Sequence, residues 1–117
     1  MIPLCLSASV AKNILQEMTR EEFKKLTQSN KPVFIDFYAD WCEPCKMLDT
    51  ILEEIKPKLN GKAHIEKIDL DTHPELQQEF SIMSVPTLMI YKNGELLWRM
   101  PGFMMGDELV EKVMEFV

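Results

Sequence analysis

The sequence predicts an α/β sandwich, a central mixed β-sheet with helices on both faces and the element order βαβαβαββα. Three observations lead there. The run Val33-Phe-Ile-Asp-Phe-Tyr38 is apolar almost throughout, as in a central strand covered on both sides. Beyond it Leu48, Ile51, Leu52, Ile55 and Leu59 recur at helical spacing, the mark of an amphipathic helix. Near the C-terminus two strand-like segments flank Asn93-Gly94, whose residues readily take the positive φ that a tight hairpin demands. Right-handed crossovers then set the first three strands in parallel and the final hairpin antiparallel at one side.

Taken in order, residues 12–18 read as a short strand, and Thr19-Arg-Glu-Glu22 matches a capping box opening a helix with Phe23 and Leu26 on one face. Pro32 biases Lys31 away from helical backbone and so separates that helix from the strand at 33–38. Within this strand Val33, Ile35 and Phe37 share one face, and Phe34, Asp36 and Tyr38 the other, which makes Asp36 an acid among apolar neighbours. The long helix ends near Asn60-Gly61, with Pro57 expected to bend or shorten its last turn. Residues 63–70 read as a third strand, and Pro74 as the first residue of a short helix carrying Leu76 and Phe80. Residues 87–92 and 95–100 form the hairpin. Gly106-Asp107 opens a last helix, with Leu109, Val110, Val113, Met114 and Val117 inward.

With 117 residues, 46% hydrophobic and 27% charged, the chain fits one domain. We expect that domain over residues 12–117. The net charge of −6 supplies no basic face for nucleic acid. No apolar stretch approaches the roughly 18 residues of a membrane span. Residues 1–11 are uncharged and largely apolar, and Ser9-Val10-Ala11 resembles a secretory cleavage site without a basic segment before it. They read as an N-terminal extension or the remnant of a signal.

Of three cysteines, Cys5 stands apart and Cys42-Glu-Pro-Cys45 forms a C-x-x-C directly after a strand. The pair reads as catalytic or metal-binding. At a helix N-terminus, unpaired N–H groups and the helix dipole favour a thiolate, which makes the first cysteine a nucleophile. A structural zinc site wants about four ligands, and only His64 and His73 remain, far off in sequence. No metal is assigned, and no role is given to either histidine.

Asp36-Phe-Tyr-Ala-Asp-Trp-Cys-Glu-Pro-Cys-Lys46 resembles the active-site segment of the thioredoxin family, Ser84-Val-Pro-Thr87 resembles its cis-proline loop, and Lys92-Asn-Gly-Glu95 also matches. The resemblance covers residues 12–117 and implies the thioredoxin fold and a redox-active protein disulfide oxidoreductase without a bound cofactor. It makes Cys42 the attacking nucleophile and Cys45 the resolving thiol. It likens Asp36 to a buried acid that handles the proton of the second thiol, and Lys67 to a buried lysine near that acid. Pro86 matches the proline after a cis peptide, which sets the Val85 backbone against the sulfurs. Trp41, Glu43, Pro44, Ser84, Val85 and Gly102 fall in the substrate groove.

The implied partners are protein disulfides and a thioredoxin-reductase-like electron donor, for a monomer in the cytoplasm. The alternatives are a thiol oxidoreductase of the periplasm or envelope, should residues 1–11 be a signal remnant, and a binding module without turnover. Two departures stand out. Glu43 replaces the commonest glycine, and a carboxylate beside Cys42 disfavours its thiolate. Thr50 stands where the family often has a helix-kinking proline. Phe103-Met-Met105, after Gly102, reads as packing rather than as a groove edge.

Overall fold

The computed structural model describes residues 19–117. The extension at 1–11 with Cys5, and the strand expected at 12–18, lie outside the described residues. Helix α1 (Arg20–Thr27) opens on the anticipated capping box: Glu22 N donates to Thr19 Oγ1 and Thr19 N to Glu22 Oε1, both at 3.1 Å. Strand β1 (Val33–Tyr38) follows, then helix α2 (Glu43–Leu59), strand β2 (His64–Asp69), a 3-10 turn (Leu70–Thr72) and helix α3 (Pro74–Glu79). Strands β3 (Thr87–Lys92) and β4 (Glu95–Pro101) form the hairpin, and helix α4 (Gly106–Met114) closes the order.

The sheet runs β2-β1-β3-β4. Strand β1 is parallel to β2 and antiparallel to β3, with Asp36 opposite Lys67 on one side and Leu88 on the other. Of the three strands expected to be parallel, the two described here are so. Each face of the sheet has its own core, as the alternation along β1 requires. Val33, Ile35 and Phe37 pack with Phe23 of α1 and Leu76 of α3. Phe34 packs on the other side with Leu48, Leu52, Ile55 and Leu59 of α2 and Leu109 and Val113 of α4. A helix pair thus covers each face of β1, and no residue from Val33 to Phe37 is exposed to solvent.

Two expectations are corrected. Of the bend or shortening expected at Pro57, the shortening does not occur: α2 runs through Leu59. The burial of Leu59 in the core outweighs the one hydrogen bond that proline forgoes, and Asn60 (φ 50°) and Gly61 (φ 73°) then end the helix in left-handed backbone. Val117 is not inward but 52% exposed. The end of α4 tightens into i→i+3 bonds, Phe116 N to Val113 O and Val117 N to Met114 O, and the tighter winding turns Val117 off the inner face. Phe103 and Met104 pack on the α2 side of the core, while Met105 is exposed.

Candidate active site

The site lies where β1 ends and α2 begins. Cys42 is the N-cap of α2, in extended backbone (φ −90°, ψ 115°), and its sulfur accepts the Cys45 backbone N–H at 3.2 Å. Pro44 occupies the first turn, where its missing N–H costs nothing. Cys42 and Cys45 are joined as a disulfide, with their Cα atoms 5.3 Å apart. Both are buried and pack with Ala39, Tyr38 and Val85. Among the described residues no group of three or more His, Cys, Asp or Glu side chains is arranged to hold a metal.

A loop before β3 closes the site from the other side. The Val85–Pro86 peptide is cis, and the Val85 carbonyl oxygen lies 3.6 Å from Cys42 Sγ. The Pro86 carbonyl accepts the N–H of Gly102 at 2.8 Å, and Gly102 takes a φ of +90° with open space where a Cβ would stand. The chain thus brings together Trp41, Pro44, Val85, Pro86 and Gly102 from three separate segments. Trp41 is 70% exposed and is tethered by its Nε1–H to Asp71 Oδ2 at 3.1 Å. With Ile82, Met83, Ser84 and Val85 it borders a hollow of about 100 Å³. Met83, 92% exposed, stands at its edge. Glu43 points to solvent and pairs with Lys46 at 2.9 Å.

A second cleft, of about 180 Å³, reaches Cys45 between Tyr38, Asp40, Lys46, Asp49 and Lys67. Asp36 lies on the face of β1 that α2 covers. It is fully buried, and neither carboxylate oxygen has a hydrogen-bond partner. Burial pushes its pKa up to about 7; Lys67 pulls it back and Asp49 adds to the rise. Lys67 is not the buried lysine that the resemblance implies. Strand β2 is an edge of the described sheet, and the Lys67 side chain, 38% exposed, forms an ion pair with Asp49 and lies over the Tyr38 ring, 5.1 Å from its centroid. Burial alone would lower the pKa of Lys67, but the hydrogen bond and charge of Asp49 outweigh it and the net shift is upward.

Sequence reasoning passed over Asp49, Asp71 and Met83. Asp49 had a signal: it follows Cys45 by four residues, so the two share a helix face. Asp71 and Met83 had none, because only the fold brings them to Trp41.

An α/β domain with a C-x-x-C disulfide at a helix N-terminus, faced by a cis-proline loop, defines a dithiol–disulfide exchange protein. The thioredoxin family profile matches residues 14–115, and the chain belongs to that family. It is similar to a thioredoxin of Rickettsia felis, 46% identical over 79 residues that span 67% of this chain and 75% of the relative. A bifunctional thioredoxin reductase/thioredoxin of Mycobacterium leprae is 41% identical over 80 residues, 68% of this chain and 18% of that longer one. A solved mutant thioredoxin of Halobacterium salinarum superposes with a TM-score of 0.75 at 31% identity, over 86% of this chain and 87% of that one. The protein is a thiol–disulfide oxidoreductase of the thioredoxin type, and such proteins act on protein disulfides. Among the described residues no helix is long and apolar enough to cross a membrane.

Proposed function

We propose that this chain works as a protein disulfide reductase in which Cys42 attacks and Cys45 resolves. The carrying observation is the place of Cys42 at the N-cap of a 17-residue helix, with its sulfur accepting the Cys45 N–H. That donor and the helix dipole stabilise a thiolate on Cys42 rather than on Cys45.

In the reduced protein the Cys42 thiolate attacks one sulfur of a client disulfide. A Cys42–client bond forms, the client bond breaks, and the expelled client thiolate takes a proton from water. Asp36, as carboxylate, then takes the Cys45 thiol proton, and Cys45 attacks Cys42 Sγ. The mixed disulfide breaks, the second client thiolate leaves, and two electrons have passed to the client. The Cys42–Cys45 disulfide remains, and a thioredoxin-reductase-like partner returns it to the dithiol. The fused reductase and thioredoxin named for the Mycobacterium leprae relative support that source of electrons. Trp41, Pro44, Ser84, Val85 and Gly102 form the docking groove, where the Val85 backbone pairs with an extended client segment as one strand pairs with another. Glu43 lies at its rim.

Trapping tests the roles. Cys45→Ser should accumulate a covalent adduct with insulin through Cys42, and Cys42→Ser should not; the opposite pattern overturns the assignment. The intact protein should accelerate insulin reduction by dithiothreitol beyond the reductant alone. Equilibration in glutathione buffers fixes direction, and a potential near that of strong disulfide oxidants would sink the reductase reading. We place the protein in the cytoplasm as a monomer; cell fractionation and sedimentation check both.

A further inference from the structure

We propose that Asp49 is a positioning residue for the resolving step: by holding Lys67 at the rim of the cleft beside Cys45, it keeps that ammonium from pairing with Asp36 and so sets the proton affinity of the acid. The inference rests on the reading above, in which Asp36 receives the Cys45 proton.

The geometry points this way at three places. Asp36 and Lys67 face one another across the β1–β2 register, and the Lys67 charge acts on the acid. Instead Lys67 turns outward to Asp49 and rests on the Tyr38 ring, and both Asp36 oxygens stay buried without a partner. Asp49 follows Cys45 by one helical turn and lines the same cleft, so its charge shares that cleft with the reacting thiol. The charged and titratable groups around the acid are few. Lys67 faces it from β2, Asp49 from α2 and Tyr38 from its own strand; Asp40 and Lys46 complete the rim, and the β3 partner Leu88 is apolar. Lys67 and Asp49 act on Asp36 in opposite senses, the lysine favouring the carboxylate and the aspartate opposing it.

That opposition separates tuning from a bridge that merely stabilises. Losing either partner of an exposed ion pair costs a little stability, with the same sign for both. Losing either partner of a tuning pair moves Asp36 in opposite directions.

The experiment is the pH profile of single-turnover insulin reduction by the chemically reduced protein, between pH 5.5 and 9. Asp49→Asn removes the opposing charge and frees Lys67, and should move the Asp36 inflection to lower pH by roughly half a unit or more. Lys67→Met should move it to higher pH, and Asp49→Glu should restore the parent profile. An unmoved inflection in Asp49→Asn, or shifts of the same sign in Asp49→Asn and Lys67→Met, overturns the assignment. Asp36→Asn separates the two layers of argument. If it abolishes the inflection while Asp49→Asn leaves the parent profile in place, only the role of Asp49 fails. If Asp36→Asn itself leaves the inflection unchanged, the proton-acceptor reading fails and the role of Asp49 with it.

Discussion

Asp36 is a buried carboxyl with no hydrogen-bond partner, and that has a thermodynamic cost. Its pKa rises from 3.8 to about 7 on folding. Between those values the folded form binds the proton more tightly than the unfolded chain, so raising the pH disfavours folding. The penalty is absent below about pH 4, grows through the window and is complete above about pH 7. Over that window it amounts to about 4 kcal/mol. Asp36→Asn, a neutral mimic of the protonated acid, should therefore stabilise the oxidised protein by up to roughly that amount at pH 8 and by little at pH 4. Urea unfolding at the two pH values measures the difference, and an equal effect at both would refute the linkage. Glu43 acts on the other partner. Its carboxylate opposes the Cys42 thiolate, so Glu43→Gly should lower the Cys42 pKa, read from thiolate absorbance. Because Glu43 is exposed and paired with Lys46, screening keeps the effect small.

At the scale of elements, the hairpin joins the sheet to the back of α1. Asn93 N donates to Ser29 O at 2.7 Å and Gly94 N to Thr27 O at 2.8 Å, so the turn is pinned as well as tight. Gly94 has a φ of +78°, and a Cβ there would come within 2.4 Å of the Gln28 side chain. Gly94→Ala should cost about 1–2 kcal/mol in thermal unfolding with activity retained at 25 °C. Such local devices were plain in the sequence: the Thr19–Glu22 box, Pro74 at the start of α3, the Asn-Gly turn and the alternation along β1. Each rests on backbone physics that a few neighbouring residues decide. The end of α4 was not legible, because a shift from i→i+4 to i→i+3 bonding leaves no trace in the apolar spacing. The length of α2 past Pro57 was set by a tertiary contact of Leu59.

Across the whole molecule, the cysteines and Asp36 stand out as chemistry within a few residues of one another, whereas the setting of Lys67 depends on which of two acids it meets in space. The ammonium has Asp36 opposite it in the register and Asp49 one strand-to-helix crossing away, and only the folded arrangement chooses. The tether of Trp41 to Asp71 and the approach of Met83 are likewise products of assembly.

The formal charge of −6 counts every acid as ionised. A buried carboxyl that titrates at about 7 makes that number elastic at neutral pH. A cationic client docked at the active end should favour the carboxylate form of Asp36, and an anionic one the protonated form. Docking an oxidised peptide should therefore move a fraction of a proton, released for a basic peptide and taken up for an acidic one. Titration calorimetry in buffers of different ionisation enthalpy would count it, and Asp36→Asn should reduce that count.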